Sequence, residues 1–410
     1  MKVKAIWFLV SVVAIVGLLV GTFSCAGVAP QQPTAKEETI KIGGLYELTG
    51  FLSVLGQQES QAVRLALEQA NYQVAGKKIQ YIEEDTACDV NVTMDKTRKL
   101  IQTNGVGVII GPTWGPSAQA MAPYLQQMEV PDVAISAHLL QLAPFRSVWL
   151  TTGFCYGQTI ATGYYAYDDL GYRNMALIAQ DWSAADQYMM GCADGFTERG
   201  GKIVQYQKFP IGTVDYTPYI ANIKDADVLA CTIIGGDAVA GFKQFYQQGV
   251  WKRMPIISSS DLGLFEPPVL AEIGDAAVGI VSEAHYRWGA PTVGNEDFVA
   301  AYQERWGFLP GGYAGMAYAA TQVVLDAIER TGGDMSYAAL SKALDETDMD
   351  TVRGHVRFNE QRVGITEARI DKVVGRTGND FDIAPLARYI VTPELVGGQD
   401  WKFNVQKASY

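Results

Sequence analysis

Three histidines, five cysteines and one Ser-Ser-Ser-Asp run are the residues of this 410-residue chain whose types and spacing could carry chemistry. His138, His285 and His355 stand far apart, with none of the spacing that holds a metal ion. No pair of cysteines forms Cys-x-x-Cys, so metal and redox motifs are unsupported. Gly-x-Ser-x-Gly, His-Glu-x-x-His, phosphate-loop and Gly-x-Gly-x-x-Gly patterns are missing, and the third glycine after Gly105-Val106-Gly107 comes too late. The sequence therefore reads as a non-enzyme without a cofactor or a metal. What remains is binding chemistry. His138 can donate one hydrogen bond or carry a charge, or it caps its own loop. Asp261, in Ser258-Ser259-Ser260-Asp261, can accept from a cationic nitrogen or cap a turn. Trp114 and Trp182 stand on loops, where a large ring is harder to explain as core than on a helix face.

The elements that must position these residues alternate strand and helix. Ile40–Leu45, Gln80–Glu84, Val106–Gly111, Asp132–Ile135, Met175–Ala179, Ile203–Lys208, Val228–Ile234 and Pro255–Ser258 read as strands. Val106–Gly111 is nearly all apolar, as a strand buried on both faces of a parallel sheet would be. Between them, Gln61–Ala70, Val92–Thr103, Ser117–Met128, Gln158–Leu170, Asp186–Arg199 and Ala238–Gln248 carry apolar residues at helical spacing. Further helices follow over Asn295–Trp306, Tyr313–Thr331 and Ser336–Glu346, and the tail reads as strands and hairpins. Repeated β-α-β order predicts parallel sheets with right-handed crossovers, two of them with about five strands each. Ligands bind beyond the carboxyl ends of such strands, so the loops at 49–55, 85–90, 112–117, 136–141, 180–186, 235–237 and 258–263 are where a site belongs.

The N-terminus supplies an address. Lys2 and Lys4, an apolar run from Ala5 to Val20, and Gly21-Thr22-Phe23-Ser24-Cys25 have the layout of a secretory signal. A cysteine at the cleavage point matches a lipoprotein signal, although Thr22 stands where an aliphatic residue is usual. An ordinary cleaved leader or an uncleaved anchor are the alternatives. Residues 26–38 read as a flexible tether with Pro30 and Pro33. The expected product is exported, periplasmic or extracellular, and anchored by lipid at Cys25. About 385 residues then remain, which favours two lobes. A net charge of -12 argues against a nucleic-acid partner. Cys88, Cys155, Cys192 and Cys231 could pair in three ways, and Cys231 reads as a buried small hydrophobe.

The stretch Ile40 to Gly50 (Ile-Lys-Ile-Gly-Gly-Leu-Tyr-Glu-Leu-Thr-Gly), Gly56-Gln57, Glu68-Gln69-Ala70-Asn71, Asp85-Thr86-Ala87-Cys88-Asp89, Ile109-Ile110-Gly111-Pro112, and Phe298 to Tyr302 with Trp306-Gly307 and Tyr313 to Tyr318 resembles the branched-chain amino-acid-binding proteins. These are the extracytoplasmic solute receptors of ABC importers, and the resemblance runs from about Ile40 to Val374 in order and spacing. It implies an α/β fold of the type I periplasmic-binding-protein kind. Two doubly wound parallel-sheet lobes would be joined by three crossing segments, near Thr152-Gly153, Glu283-Ala284 and Asp350 to Arg353. Lobe 1 would comprise 39–152 plus 285–350, and lobe 2 would comprise 153–284 plus 351–410.

Family members that hold amino acids fix the carboxylate and ammonium with a Ser, a backbone carbonyl and a Thr. The resemblance places Gly115, Ser136 and His138 at those positions, so both hydroxyls are replaced, with Ser117 two residues beyond Gly115. It places Asp261 at the acidic ammonium acceptor. The family's aromatic falls on Ala184, two residues after Trp182, and a family Tyr falls on Ile234. Tyr156 and Tyr313 are weaker candidates. Cys88 matches a position bridged in some members to a cysteine where this chain has Trp114, so that bridge cannot form. The implied function is an extracytoplasmic lipoprotein that closes on a small molecule, an amino acid or related compound, and delivers it to an ABC permease and ATPase complex. A ligand-sensing receptor of the same fold, and a binder of aromatic acids or amides, are the alternatives.

Overall fold

The computed structural model describes residues 38–136, 138–260, 263–396 and 400–409. The leader, Cys25 and the tether before residue 38 lie outside the described residues, and so does Asp261.

The first sheet is built by β1 (Thr39–Tyr46), β2 (Gln73–Val74), β3 (Lys77–Asp85), β4 (Val108–Ile110), β5 (Asp132–Ala134) and β6 (Val148–Leu150). Helices α1 (Ser53–Gln69), α2 (Val90–Arg98) and α3 (Gly115–Met128) lie between these strands in the chain. The strand order is β2-β3-β1-β4-β5-β6, parallel throughout except for the two-residue β2. The chain then passes into a second unit: α4 (Cys155–Asp168), β7 (Asn174–Gln180), α5 (Ser183–Glu198), β8 (Lys202–Phe209), α6 (Thr217–Ala221), β9 (Val228–Thr232), α7 (Gly236–Gln247), α8 (Val250–Arg253), β10 (Ile256–Ser258), α9 (Pro267–Ile273) and β11 (Val281–Ala284). It returns to the first through α10 (Asn295–Trp306), α11 (Gly312–Arg330) and α12 (Tyr337–Asp345). A small hairpin of β12 (Asp348–Thr351) and β13 (Gly354–Arg357) follows, then β14 (Thr366–Thr377), β15 (Asp380–Val396) and β16 (Asp400–Ala408). The second sheet has the order β16-β15-β14-β11-β10-β9-β7-β8.

The result is the α/β architecture of two doubly wound lobes, with six and eight strands where the sequence suggested about five each. The extra strands of the second sheet come from the tail, which adds to β11 as an antiparallel meander. The physical difference is visible in burial. β4 and β9 are buried at every residue, as central parallel strands must be, while β16 alternates between exposed and half-buried positions as a strand covered on one face does.

One local result differs from the sequence reading. Helix α1 begins eight residues earlier than Gln61, running through Gly56. A side chain at Gly56 would run into the backbone of Glu47, so this glycine permits close approach rather than ending the helix. We propose that the third passage between lobes comes later than Asp350 to Arg353. Val352 and Val356 belong to the first lobe's core, and Leu150 still exchanges hydrogen bonds with Arg362 and Gly364. The chain joins the second sheet at Thr366, and we propose that the second lobe resumes there rather than at 351. None of the four cysteines of the described residues is in a disulfide, and three are buried.

Candidate functional site

The carboxyl ends of the strands of both sheets face one narrow cavity of about 20 Å³, room for about one water, so the lobes stand nearly closed on each other and must part to admit a ligand. Seven of the positions singled out from sequence line it. Trp114 and Gly115 come from the start of α3, Ser136 and His138 from the loop after β5, Trp182 and Ala184 from the start of α5, and Ile234 from the loop after β9. Tyr313 also lines it, from the first turn of α11. One described position, Ser117, does not join them. Ser117 is fully buried one turn into α3, its hydroxyl 2.7 Å from that of Thr93. Asp261 lies outside the described residues. Tyr156 points elsewhere, its hydroxyl donating to Asp194.

Sequence reasoning missed five further lining residues: Leu52, Thr113, Leu139, Cys155 and Tyr188. Cys155 and Tyr188 sit on the inner turns of α4 and α5, and nothing in the sequence separates them from ordinary core.

Each wall is held by polar contacts. The backbone of His138 is laced to the first passage between lobes: its N–H donates to Gly153 O at 3.2 Å, and its carbonyl accepts from Cys155 N–H at 2.9 Å. Gln180 fixes the opposite loop, accepting from Ile234 N–H and donating to Asp237, at 2.8 and 2.7 Å. Trp114 meets Phe51 edge to face at 6.1 Å.

The His138 ring is 1% exposed, and neither of its nitrogens has a partner of good hydrogen-bond geometry. The Pro112 carbonyl lies near enough to favour a ring proton, but burial dominates and pushes the imidazole down to about 4. It is therefore neutral near pH 7. The indole N–H of Trp182 is likewise buried without a partner. No lysine, arginine, aspartate or glutamate is among the described lining residues. Positive potential comes instead from helix ends. Gly115, Cys155 and Ala184 lie in the first turns of α3, α4 and α5, none of which is capped by the side chain of its N-cap residue, whereas the first turn of α11, with Tyr313, is closed by the Glu266 carboxyl. Such converging N-termini favour an anionic group, and the rings around it favour a flat apolar body.

Behind Trp114 lies a set of carboxyls that the sequence reading did not single out. Glu47 accepts from the N–H groups of Thr113 and Trp114 at 3.3 and 3.2 Å. The Thr113 hydroxyl donates to Glu59. Burial raises both carboxyls above the ordinary range, and their mutual repulsion raises Glu59 further. The available signal was Glu59 itself, a charge on the same helical stripe as Ala62 and Val63.

A second polar relay stands apart from the cavity. His285 Nδ1 meets Glu283 at 2.9 Å, and its Nε2 stands 3.5 Å from Ser260 Oγ. All three residues are at most 1% exposed and none lines the cavity, so this relay braces the second passage between lobes.

The fold and this cleft are those of a two-lobe solute receptor. The chain belongs to the periplasmic binding protein family, whose model matches residues 39–377. It is similar to an ABC transporter substrate-binding protein from Sphaerobacter thermophilus, at 30% identity and a TM-score of 0.80, covering 86% of this chain and 98% of that one. A solute binding protein of an ABC transporter from Rhodopseudomonas palustris BisB5, solved in complex with 3,4-dihydroxybenzoic acid, is 27% identical with a TM-score of 0.80, covering 86% and 97%. The Leu/Ile/Val-binding protein homolog 6 of Brucella melitensis is 24% identical over 349 residues, 81% of this chain and 87% of that protein. The chain is thus a branched-chain amino-acid-binding-protein-like substrate receptor of ABC importers. Such receptors bind a small molecule and hand it to a permease. Among the described residues no helix is long and apolar enough to cross a membrane.

Proposed function

We propose that the ligand is a small aromatic carboxylate, captured between the lobes and released to the permease. The observation that carries this reading is the cavity itself: Trp114 and Trp182 come from opposite lobes, beside uncapped helix ends and a neutral His138, with no charged side chain among the described lining residues. The rings would hold a flat body, and the helix ends and buried N–H groups would hold its carboxylate. The relative from Rhodopseudomonas palustris that holds 3,4-dihydroxybenzoic acid supports the same ligand class.

An amino-acid ligand is the second reading. It is favoured by the Leu/Ile/Val-binding homologue and by the place of Asp261 in the sequence. Replacement of the family's Ser and Thr by Gly115 and His138 weighs against an unmodified leucine-type site.

A thermal-shift panel of benzoate, hydroxybenzoates, aromatic amides and the branched-chain amino acids separates the readings. A ligand at 100 times its Kd stabilises by about 2.7 kcal/mol. An aromatic acid is expected to give the largest shift, and a largest shift with leucine, isoleucine or valine would overturn the assignment.

The leader and Cys25 complete the proposal: export, lipidation at Cys25, and the tether at 26–38 as a leash that keeps the receptor near its permease. Intact mass of the mature protein tests it. A chain beginning at a diacylated Cys25 is expected, and a retained Met1 would contradict it.

A further inference from the structure

One carboxyl spans the two lobes without touching the cavity. Glu266 directly precedes α9, which packs on α7 and β15 of the second lobe, yet its side chain turns away from that helix and its Oε1 accepts from the N–H of Tyr313 at 3.1 Å, on α11 of the first. Room for it comes from Gly311, where any side chain would collide with the Glu266 carboxyl. The φ of Gly311 is −81°, which any residue adopts, so the glycine is needed for space and not for backbone freedom. Gln58 on α1 accepts the Gly311 N–H at 3.1 Å and holds this turn from the first-lobe side. The ring of Tyr313 then forms part of the cavity wall.

The surroundings of Glu266 do not suit a charge. It is 1% exposed, and its second oxygen has no partner of good hydrogen-bond geometry. Glu59 faces it from α1 with Glu47 behind, Tyr286 from the segment after β11, and Tyr302 from α10. The groups that favour its ionised form are neutral: the N–H groups of Tyr313 and Gly312 and the Gln58 amide. Burial outweighs them and raises the carboxyl to about 7.

We propose that Glu266 is the latch of the closed receptor, a positioning residue that docks on α11 as the lobes meet and carries a proton when it does, so that ligand capture takes up a proton. This rests on the ligand reading above only in that some ligand drives closure. The sign follows from the two environments. An open, hydrated Glu266 releases its proton near the ordinary value of about 4.3, and the closed one near 7. Between these, closing consumes a proton, so affinity falls as pH rises. The fall approaches about tenfold per pH unit and levels off once both forms are ionised.

Calorimetric titration with 4-hydroxybenzoate at pH 5.5, 6.5, 7.5 and 8.5 tests this for the wild type, Glu266→Gln and Gly311→Ala. The wild-type Kd is expected to rise about tenfold or more from pH 5.5 to 7.5. Glu266→Gln, a neutral isostere, keeps the Tyr313 contact; it is expected to flatten that rise and to bind more tightly than wild type at pH 8.5. Gly311→Ala is expected to weaken binding at every pH, with Gly311→Ala/Glu266→Ala recovering part of the loss. An unchanged pH slope in Glu266→Gln overturns the latch, even if affinity falls uniformly. If 4-hydroxybenzoate fails to bind, the ligand reading fails separately. Small-angle scattering of the ligand-free protein then decides: a wild type more compact at pH 5.5 than at 8.5, with Glu266→Gln compact at both, supports the latch, and equal wild-type dimensions at both pH values reject it.

Discussion

Gln187 Nε2 donates to Gln141 Oε1 at 2.8 Å across the cleft, while Gln187 Oε1 accepts from Leu140 N–H at 3.1 Å. Gln187 stands on α5 of the second lobe, and 140–141 follow β5 of the first, so one amide pins the lobes together. Gln187→Ala removes both bonds without touching the cavity lining. At a net 0.5–1.5 kcal/mol each, their loss should raise the ligand Kd about fivefold to a hundredfold while leaving selectivity among ligands unchanged. Titration of the variant against a ligand series checks this, and an unchanged Kd would show that the contact adds nothing to closure.

Trp114 and Trp182 enter the cavity from opposite lobes. Under an aromatic-ligand reading, Trp114→Ala and Trp182→Ala should each weaken binding of the best aromatic acid by about tenfold or more, because each removes one ring face. Trp182→Phe should recover most of the stacking but not the buried N–H. Equal affinity in both alanine variants would remove the ring-clamp argument.

His138 gives a stability signature of its own. Its folded-state value is depressed from 6.5 to about 4, so the unfolded chain takes up the proton first as pH falls. Stability is therefore lost between about pH 6.5 and pH 4. From pH 7 to 5 the wild type should lose about 2 kcal/mol more than His138→Gln, measured by urea unfolding. Parallel losses in the two proteins would mean that the ring is not buried in its neutral form.

Gly56 tests the packing of α1 on the site. Because a Cβ would meet the Glu47 backbone rather than a movable side chain, Gly56→Ala should destabilise by about 1–3 kcal/mol despite improving helix propensity. An unchanged or raised Tm would show that the approach of α1 to Glu47 is looser than described.

What the sequence revealed depended on how local each signal was. Helix α10 coincides with its reading at Asn295–Trp306 because its apolar spacing and the flanking Gly294 and Gly307 are all local. The cavity was legible through a topological rule: loops beyond parallel strands meet, whatever their side chains. Strand β6 was not, since Val148-Trp149-Leu150 has three residues and is defined by its neighbour β5. Glu266 was equally hidden. Its acceptor role needs Tyr313, 47 residues away, and its space needs Gly311, a glycine that reads as a loop residue until the two lobes meet. Tyr188 shows the same limit, since a ring on a helix reads as core whether or not a ligand lies against it.

The most direct measurement is calorimetric competition between 4-hydroxybenzoate and leucine at pH 6 on the ligand-stripped protein. The account predicts that the aromatic acid binds with a Kd of about 10 μM or tighter, and that leucine binds at least about a hundredfold more weakly, a gap of about 2.7 kcal/mol. Leucine binding as tightly as the aromatic acid, or displacing it at equal concentration, would contradict the assignment of the cavity to aromatic carboxylates.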